Sequence, residues 1–200
     1  MRRLVATLAC LIALHAGAQT APAAAPLRLR ATIESVTAAS MVVRDRSGEV
    51  LTLTLADNLV VSEMLLAELS ALKPGAFIGT AAVPQPDGTL HALEVTVFPE
   101  SARGTGEGHR PYDLQPGSTM TNATVADLAG PVQDRRLTLK YKDGEQTVVV
   151  PEGVPVVTFK PADRTLLVPG AKVVVTAELR DGRPTATRVI AGRNGFSPPL

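Results

Sequence analysis

The clearest pattern in the chain is an alternation. Residues 50–55 read VLTLTL, which sets Leu51, Leu53 and Leu55 on one face and the threonines on the other, as a half-buried strand requires. Similar apolar runs lie around it, at 32–36 and 41–44 before it and at 77–83 and 90–98 after it, the last two flanking an Asp87-Gly88 turn. Between them, Val61, Leu65, Leu69 and Leu72 recur at helical spacing, with Ser62 placed to cap a helix and Pro74-Gly75 to stop it. The pattern therefore predicts three strands, a short helix and two more strands.

The same order then recurs. Strands are expected at 124–128, 137–141, 147–150, 173–179 and 185–191, with a shorter helix near Pro161 and Leu166-Leu167. Ala31-Thr32-Ile33 answers to Ala123-Thr124-Val125, Arg46-Ser47-Gly48 to Lys142-Asp143-Gly144, Lys73-Pro74-Gly75-Ala76 to Val168-Pro169-Gly170-Ala171, and Asp87-Gly88 to Asp181-Gly182. The offsets are 92, 96, 95 and 94. Four matches in one order at nearly constant spacing indicate a duplicated unit of about 70 residues. A β-β-β-α-β-β order is that of a small closed barrel with a helix at one end, since closure removes exposed strand edges. The expected fold is all-β with a small α component: two tandem five-stranded OB-like β-barrels, each with one short helix. Residues 28–98 form the first barrel, 99–121 a Gly/Pro-rich connecting loop and 122–192 the second barrel.

The turn residues carry a resemblance. Thr32-Ile33-Glu34-Ser35-Val36, Ser47-Gly48, Leu72-Lys73-Pro74-Gly75 and Asp87-Gly88 recur as Thr124-Val125-Ala126-Asp127-Leu128, Asp143-Gly144, Leu167-Val168-Pro169-Gly170 and Asp181-Gly182. Both units resemble OB-like domains of unknown function found in secreted and periplasmic bacterial proteins. The resemblance implies a fold and an address. Its motifs are structural turns and imply no reaction.

The N-terminus agrees with that address. Arg2 and Arg3 precede an apolar run over 4–14 and a small-x-small pattern at Ala16-Gly17-Ala18, which reads as a signal peptide over 1–18, too short to span a membrane as a helix. Residues 19–27 read as a flexible leader and 193–200 as a disordered tail. Cleavage after Ala18 removes the one cysteine and takes the formal net charge from +1 to −1. A mature chain without cysteine must hold its fold by burial alone. Near neutrality, with scattered basic residues, two tyrosines, four phenylalanines and no tryptophan, it lacks the basic groove and stacking aromatics of a nucleic-acid binder. A periplasmic or secreted protein is expected, with no nucleic-acid partner and no membrane insertion after cleavage.

Candidate chemistry concentrates between Pro99 and Asn122. Glu107, His109, Arg110, Tyr112 and Asp113 fall within seven residues, between Gly104/Gly106/Gly108 and Pro116-Gly117. One reading makes Glu107, His109 and Asp113 hard or borderline ligands for a divalent metal. The other makes the stretch a linker, with Tyr112 packed on a barrel and Arg110 paired with Asp113. Arg110 and Tyr112 then offer a ligand- or partner-binding surface. The glycines are not followed by Lys-Ser/Thr and a helix, so they make no phosphate loop. No Gly-x-Ser-x-Gly elbow, thiol nucleophile or His-Glu-x-x-His pair occurs. The sequence thus favours a non-catalytic binding or scaffolding module of the bacterial envelope, requiring no cofactor, with an unidentified envelope protein or small ligand as partner. A metal- or small-ligand-binding accessory protein, linked to transport, is the alternative.

Overall fold

A computed structural model describes residues 26–129 and 134–199. The expected signal peptide and most of the leader lie outside these residues. Twelve strands account for most of the chain: β1 (Leu27–Val36), β2 (Ser40–Asp45), β3 (Val50–Leu66), β4 (Phe77–Pro84), β5 (Leu90–Val97), β6 (Gly108–Pro111), β7 (Thr119–Ala129), β8 (Asp134–Tyr141), β9 (Gly144–Pro151), β10 (Val156–Ala162), β11 (Lys172–Arg180) and β12 (Arg183–Gly192). The only helical turns among the described residues are three short 3-10 turns, Leu69–Ala71, Glu100–Ala102 and Arg164–Leu166.

The fold is all-β and contains a closed five-stranded barrel. Its ring runs β11-β1-β2-β3-β12, closed by the β11–β12 ladder. Three of these strands lie within residues 27–66 and two within residues 172–192. Its core is drawn accordingly from Ile33, Met41, Val43 and Leu53 and from Val173, Val175, Ala186 and Val189. The boundaries 28–98 and 122–192 divide the repeat, not the ring. The remaining long strands run β5-β4-β7-β8-β9, and Leu90 and His91 of β5 pair in parallel with Val148 and Val149 of β9. A second core lies there, again mixed: Ile78, Ala82 and Val95 pack with Val125, Leu137, Leu139 and Val148.

The exchange is carried by β3. At 17 residues and roughly 3.3 Å per residue it spans on the order of 55 Å, too long for one small barrel. Its first half pairs β2; its second half lies between β12 (60–64 against 188–192) and β10 (61–66 against 157–162). In the β3–β10 ladder Met64 faces Phe159 and Glu63 faces Lys160. An offset of 96 turns Glu63 into position 159 and Met64 into position 160, so residues at matching places in the sequence pattern face one another across this ladder.

The helix expected from Ser62 to Leu72 is instead the end of β3, to Leu66, followed by a 3-10 turn at Leu69–Ala71. Residues 61–64 are buried between two partner strands, so the period of two that marks a half-covered strand is lost there and Val61, Leu65, Leu69 and Leu72 are left at helical spacing. The expected second helix is likewise β10 plus a 3-10 turn. Pro161 is tolerated in β10 because pairing with β5 ends at Thr158, leaving its missing N–H on an unpaired edge. The stretch read as a tail has defined contacts: Arg193 donates to Glu63 at 3.1–3.2 Å, Pro198 is buried, and Gly192 lies so close to the Phe196 carbonyl that a Cβ would sit 2.0 Å from it.

Candidate functional site

The central stretch is ordered by its own turns. A 3-10 turn at Glu100–Ala102 leads through positive-φ Gly104, Gly106 and Gly108 into β6, which adds to β7 at Gly108↔Asn122, His109↔Thr121, Arg110↔Met120 and Pro111↔Thr119. Ser118 closes the next turn, its hydroxyl donating to the carbonyl oxygens of Gln115 (2.7 Å) and Tyr112 (3.0 Å). The result is a strap lying over β7.

The three residues read as metal ligands are used separately. Glu107 Oε1 accepts from the Lys142 backbone N–H at 3.1 Å. His109 Nδ1 is 2.8 Å from Thr121 Oγ1, and burial, then the Arg110 charge, holds its pKa below the usual value. Asp113 takes a two-pronged ion pair from Arg30 Nη2 and Nη1 at 2.9 and 3.1 Å, which holds its carboxyl below the usual carboxylate range. No group of three His, Cys, Asp or Glu side chains among the described residues is arranged to hold a metal ion. The expected Arg110–Asp113 pair is also absent, since Arg110 Nη1 donates to the Gly106 carbonyl at 2.8 Å.

What the stretch does assemble is a clamp onto the first barrel. Arg28 and Arg30 on β1 lie over the Tyr112 ring, with guanidinium carbons 5.1 and 5.6 Å from its centroid, and Arg28 donates to the Tyr112 hydroxyl. Burial raises the pKa of that hydroxyl, the two arginines pull it back, and the Asp113 and Glu94 charges add to the rise. In the sequence Arg28 and Arg30 are two of the scattered basic residues. Nothing local marks them as partners of residues more than eighty positions away.

Beneath the strap is a group that no motif reveals. Glu94 on β5 is fully buried; Thr96 donates to one of its oxygens and the other has no partner. Burial raises its pKa to about 8, against the pull of the Thr96 hydrogen bond. Alternation puts Glu94 on the outward face, but only the strap's position shows that this face is covered. His91, grouped by alternation with Val95, is instead exposed. A bulge at Leu93 shifts the register, so Leu90 and Ala92 join Val95 in the core.

A second feature lies where β3 ends. Leu66 and Leu69, 66% and 41% exposed, edge an apolar groove of about 430 Å³ completed by Arg135 and the 150–156 turn. Arg135 Nη1 donates to the Leu69 carbonyl at 3.1 Å and fixes that rim. No helix among the described residues is long and apolar enough to cross a membrane. No family model, curated protein or solved structure matches the chain.

Proposed function

We propose that the protein is an exported, non-catalytic binding or scaffolding module of the bacterial envelope, built as two small OB-like barrels that trade strands. The expected signal peptide and the resemblance to secreted OB-like domains support the address. The interlocked cores support a rigid frame, since neither set of five strands is complete without residues of the other copy. The observation that carries the role is the groove at Leu66 and Leu69: two large apolar side chains held out of the core beside a fixed turn suit capture of an apolar partner segment. The charged residues of the strap belong to the frame. The metal- and ligand-binding alternative has no support in the geometry, because Glu107, His109 and Asp113 face different partners.

The test is a photo-crosslinking residue at position 69 in cells. A discrete crosslinked envelope protein that disappears with Leu66→Asp is expected. A properly exported protein that gives only background crosslinks would remove the proposal.

A further inference from the structure

The repeat shows where a strand is missing. An offset of 92 carries residues 27–30 of β1 onto residues 119–122 of β7. In β7 that stretch is paired on both edges, by β4 on one side and by β6 on the other. In β1 it pairs with β11 on one side, from Leu27↔Ala177 to Thr32↔Lys172, while β2 joins the other edge only from Ala31 onward. Along residues 27–30 that second edge has no strand among the described residues.

The open edge has a definite hydrogen-bonding pattern. Ile33 donates its N–H to Ala171 and accepts from Gly170 through its C=O, so it points both groups at the β11 side. Alternation sends those of Ala31 and Leu29 the same way and those of Arg28 and Arg30 to the opposite edge. The equivalents of Arg28 and Arg30 in β7 are Met120 and Asn122, the residues that face Arg110 and Gly108 of β6.

The surroundings select the occupant. Arg28 is exposed and has no carboxylate partner among the described residues; Arg30 holds Asp113 through Nη1 and Nη2, and its Nε is buried without an acceptor. Beside them Arg30, Arg44, Arg46 and Lys172 line a cavity of about 270 Å³, in which Arg44 is held by Glu34 and Asp45 is committed to its own turn. The intervening Leu27 is 48% exposed and Leu29 packs at the margin of the core. We infer that the β1 edge at Arg28 and Arg30 receives an extended segment of another protein by antiparallel strand addition, and that this segment alternates acidic and apolar residues. Acidic side chains then lie beside the two arginines on the outer face, and apolar ones cover Leu27 and Leu29. This goes beyond the groove at Leu66 and Leu69 and uses a different surface, though it shares the reading of the chain as a binding module.

The probe is the peptide acetyl-Glu-Val-Glu-Val-Glu-amide, titrated into the isotope-labelled mature chain and followed by NMR. Saturable binding is expected, with the Arg28 and Arg30 amides shifted and slowed in hydrogen exchange, and with weakening by added salt. Arg28→Pro removes an edge donor without disturbing the β11 ladder, and affinity falls about tenfold or more; Arg28→Ala loses the same side-chain contact with Tyr112, so the two variants differ at the edge donor. Arg28→Ala keeps the donor and loses only a few-fold. Equal losses in the two variants would mean anion binding by side chains and would overturn the inference. So would unchanged binding by Arg28→Pro, absence of saturable binding, or Arg28 and Arg30 amides already protected in the free chain, which would show the edge filled by the chain's own residues or a second copy. The position-69 crosslink reads the groove independently, so the two proposals fail separately.

Discussion

The outer faces of β7 and β1 hold corresponding places in the sequence pattern, yet they meet the strap differently: β6 pairs along β7, whereas β1 meets it through the Tyr112 ring and the Asp113 carboxylate. Under the strap lie Glu94, Thr96, Gly79, Asn122 and Met120, all buried. By the repeat offsets their counterparts are Arg188, Ile190, Val174, Arg30 and Arg28. The buried Glu94 thus answers to an exposed Arg188, and Gly79 answers to Val174. Covering a sheet face changes what it can carry. Arginines at an open face keep their charged ends in water or on a neighbour, whereas a covered carboxyl must find partners or give up its charge. The roofed face has not found them all: one oxygen of Glu94 and the Asn122 Oδ1 lack partners.

The largest expected effect is at Glu94. In the folded protein burial holds its proton up to about pH 8; in the unfolded chain it is released near pH 4.3, at about 1.4 kcal/mol per unit of difference. The folded state binds the extra proton between these values, so stability falls as pH rises through that window and levels off above it. Glu94→Gln keeps an acceptor for Thr96 and has no charge to bury. Denaturant titrations should show the variant more stable than the parent at pH 8.5 by on the order of 2–4 kcal/mol, with the gap closing toward pH 4.5. Parallel curves across that range would mean that the roof admits water and that the two faces differ less than their burial indicates.

Gly79→Ala tests the roof sterically and should cost about 1–3 kcal/mol. A Cβ at Gly79 would lie 2.7 Å from Asn122 Oδ1 and 3.0 Å from the Phe98 ring. Neither neighbour is free to yield: Asn122 donates to the Thr105 carbonyl of the strap, and Phe98 is wedged between Phe77 and Phe159 with ring centroids 5.3 and 5.5 Å away. The counterpart Val174 is buried too yet carries a full side chain, so the tight approach at Gly79 comes from Asn122 and Phe98. A thermal midpoint unchanged by Gly79→Ala would show that the strap lifts without cost.

The two faces were unequally legible in the sequence. The strands could be read from alternation at 50–55 and from the Gly turns, because a half-buried strand leaves a period of two. The partners could not. The sequences of β4-β5 and β11-β12 follow one pattern, so nothing in either says which copy's β3 or β9 it will join. That choice lies in whether the chain turns back or runs straight through residues 56–61, and the run there also fits a helical stripe. The strap was legible as a dense cluster at 107–113 but not as a clamp. Asp113 is recognised by Arg30, and the residue types alone favoured a local pair with Arg110. Glu94 left no signal at all, since an acid on the outward side of a strand is ordinary until something covers it.

The smallest effect separates the strap's two attachments. Asp113→Asn removes the charge that Arg30 holds while leaving β6 paired to β7 and the Tyr112 ring under Arg28. The folded carboxyl sits below its usual range. Its contribution is therefore present above about pH 4 and fades as pH falls from there. With the Asp113 side chain 53% exposed, screening keeps that contribution below about 1 kcal/mol at neutral pH. The variant should lose that fraction at pH 7 and approach the parent as the pH falls below about 4. Hydrogen exchange should quicken at residues 112–118 and not at 108–111, because the strand pairing and the clamp are independent fastenings. Faster exchange across both segments would instead make the ion pair the element that seats the whole strap, and the cover over β7 would then depend on Arg30 of β1.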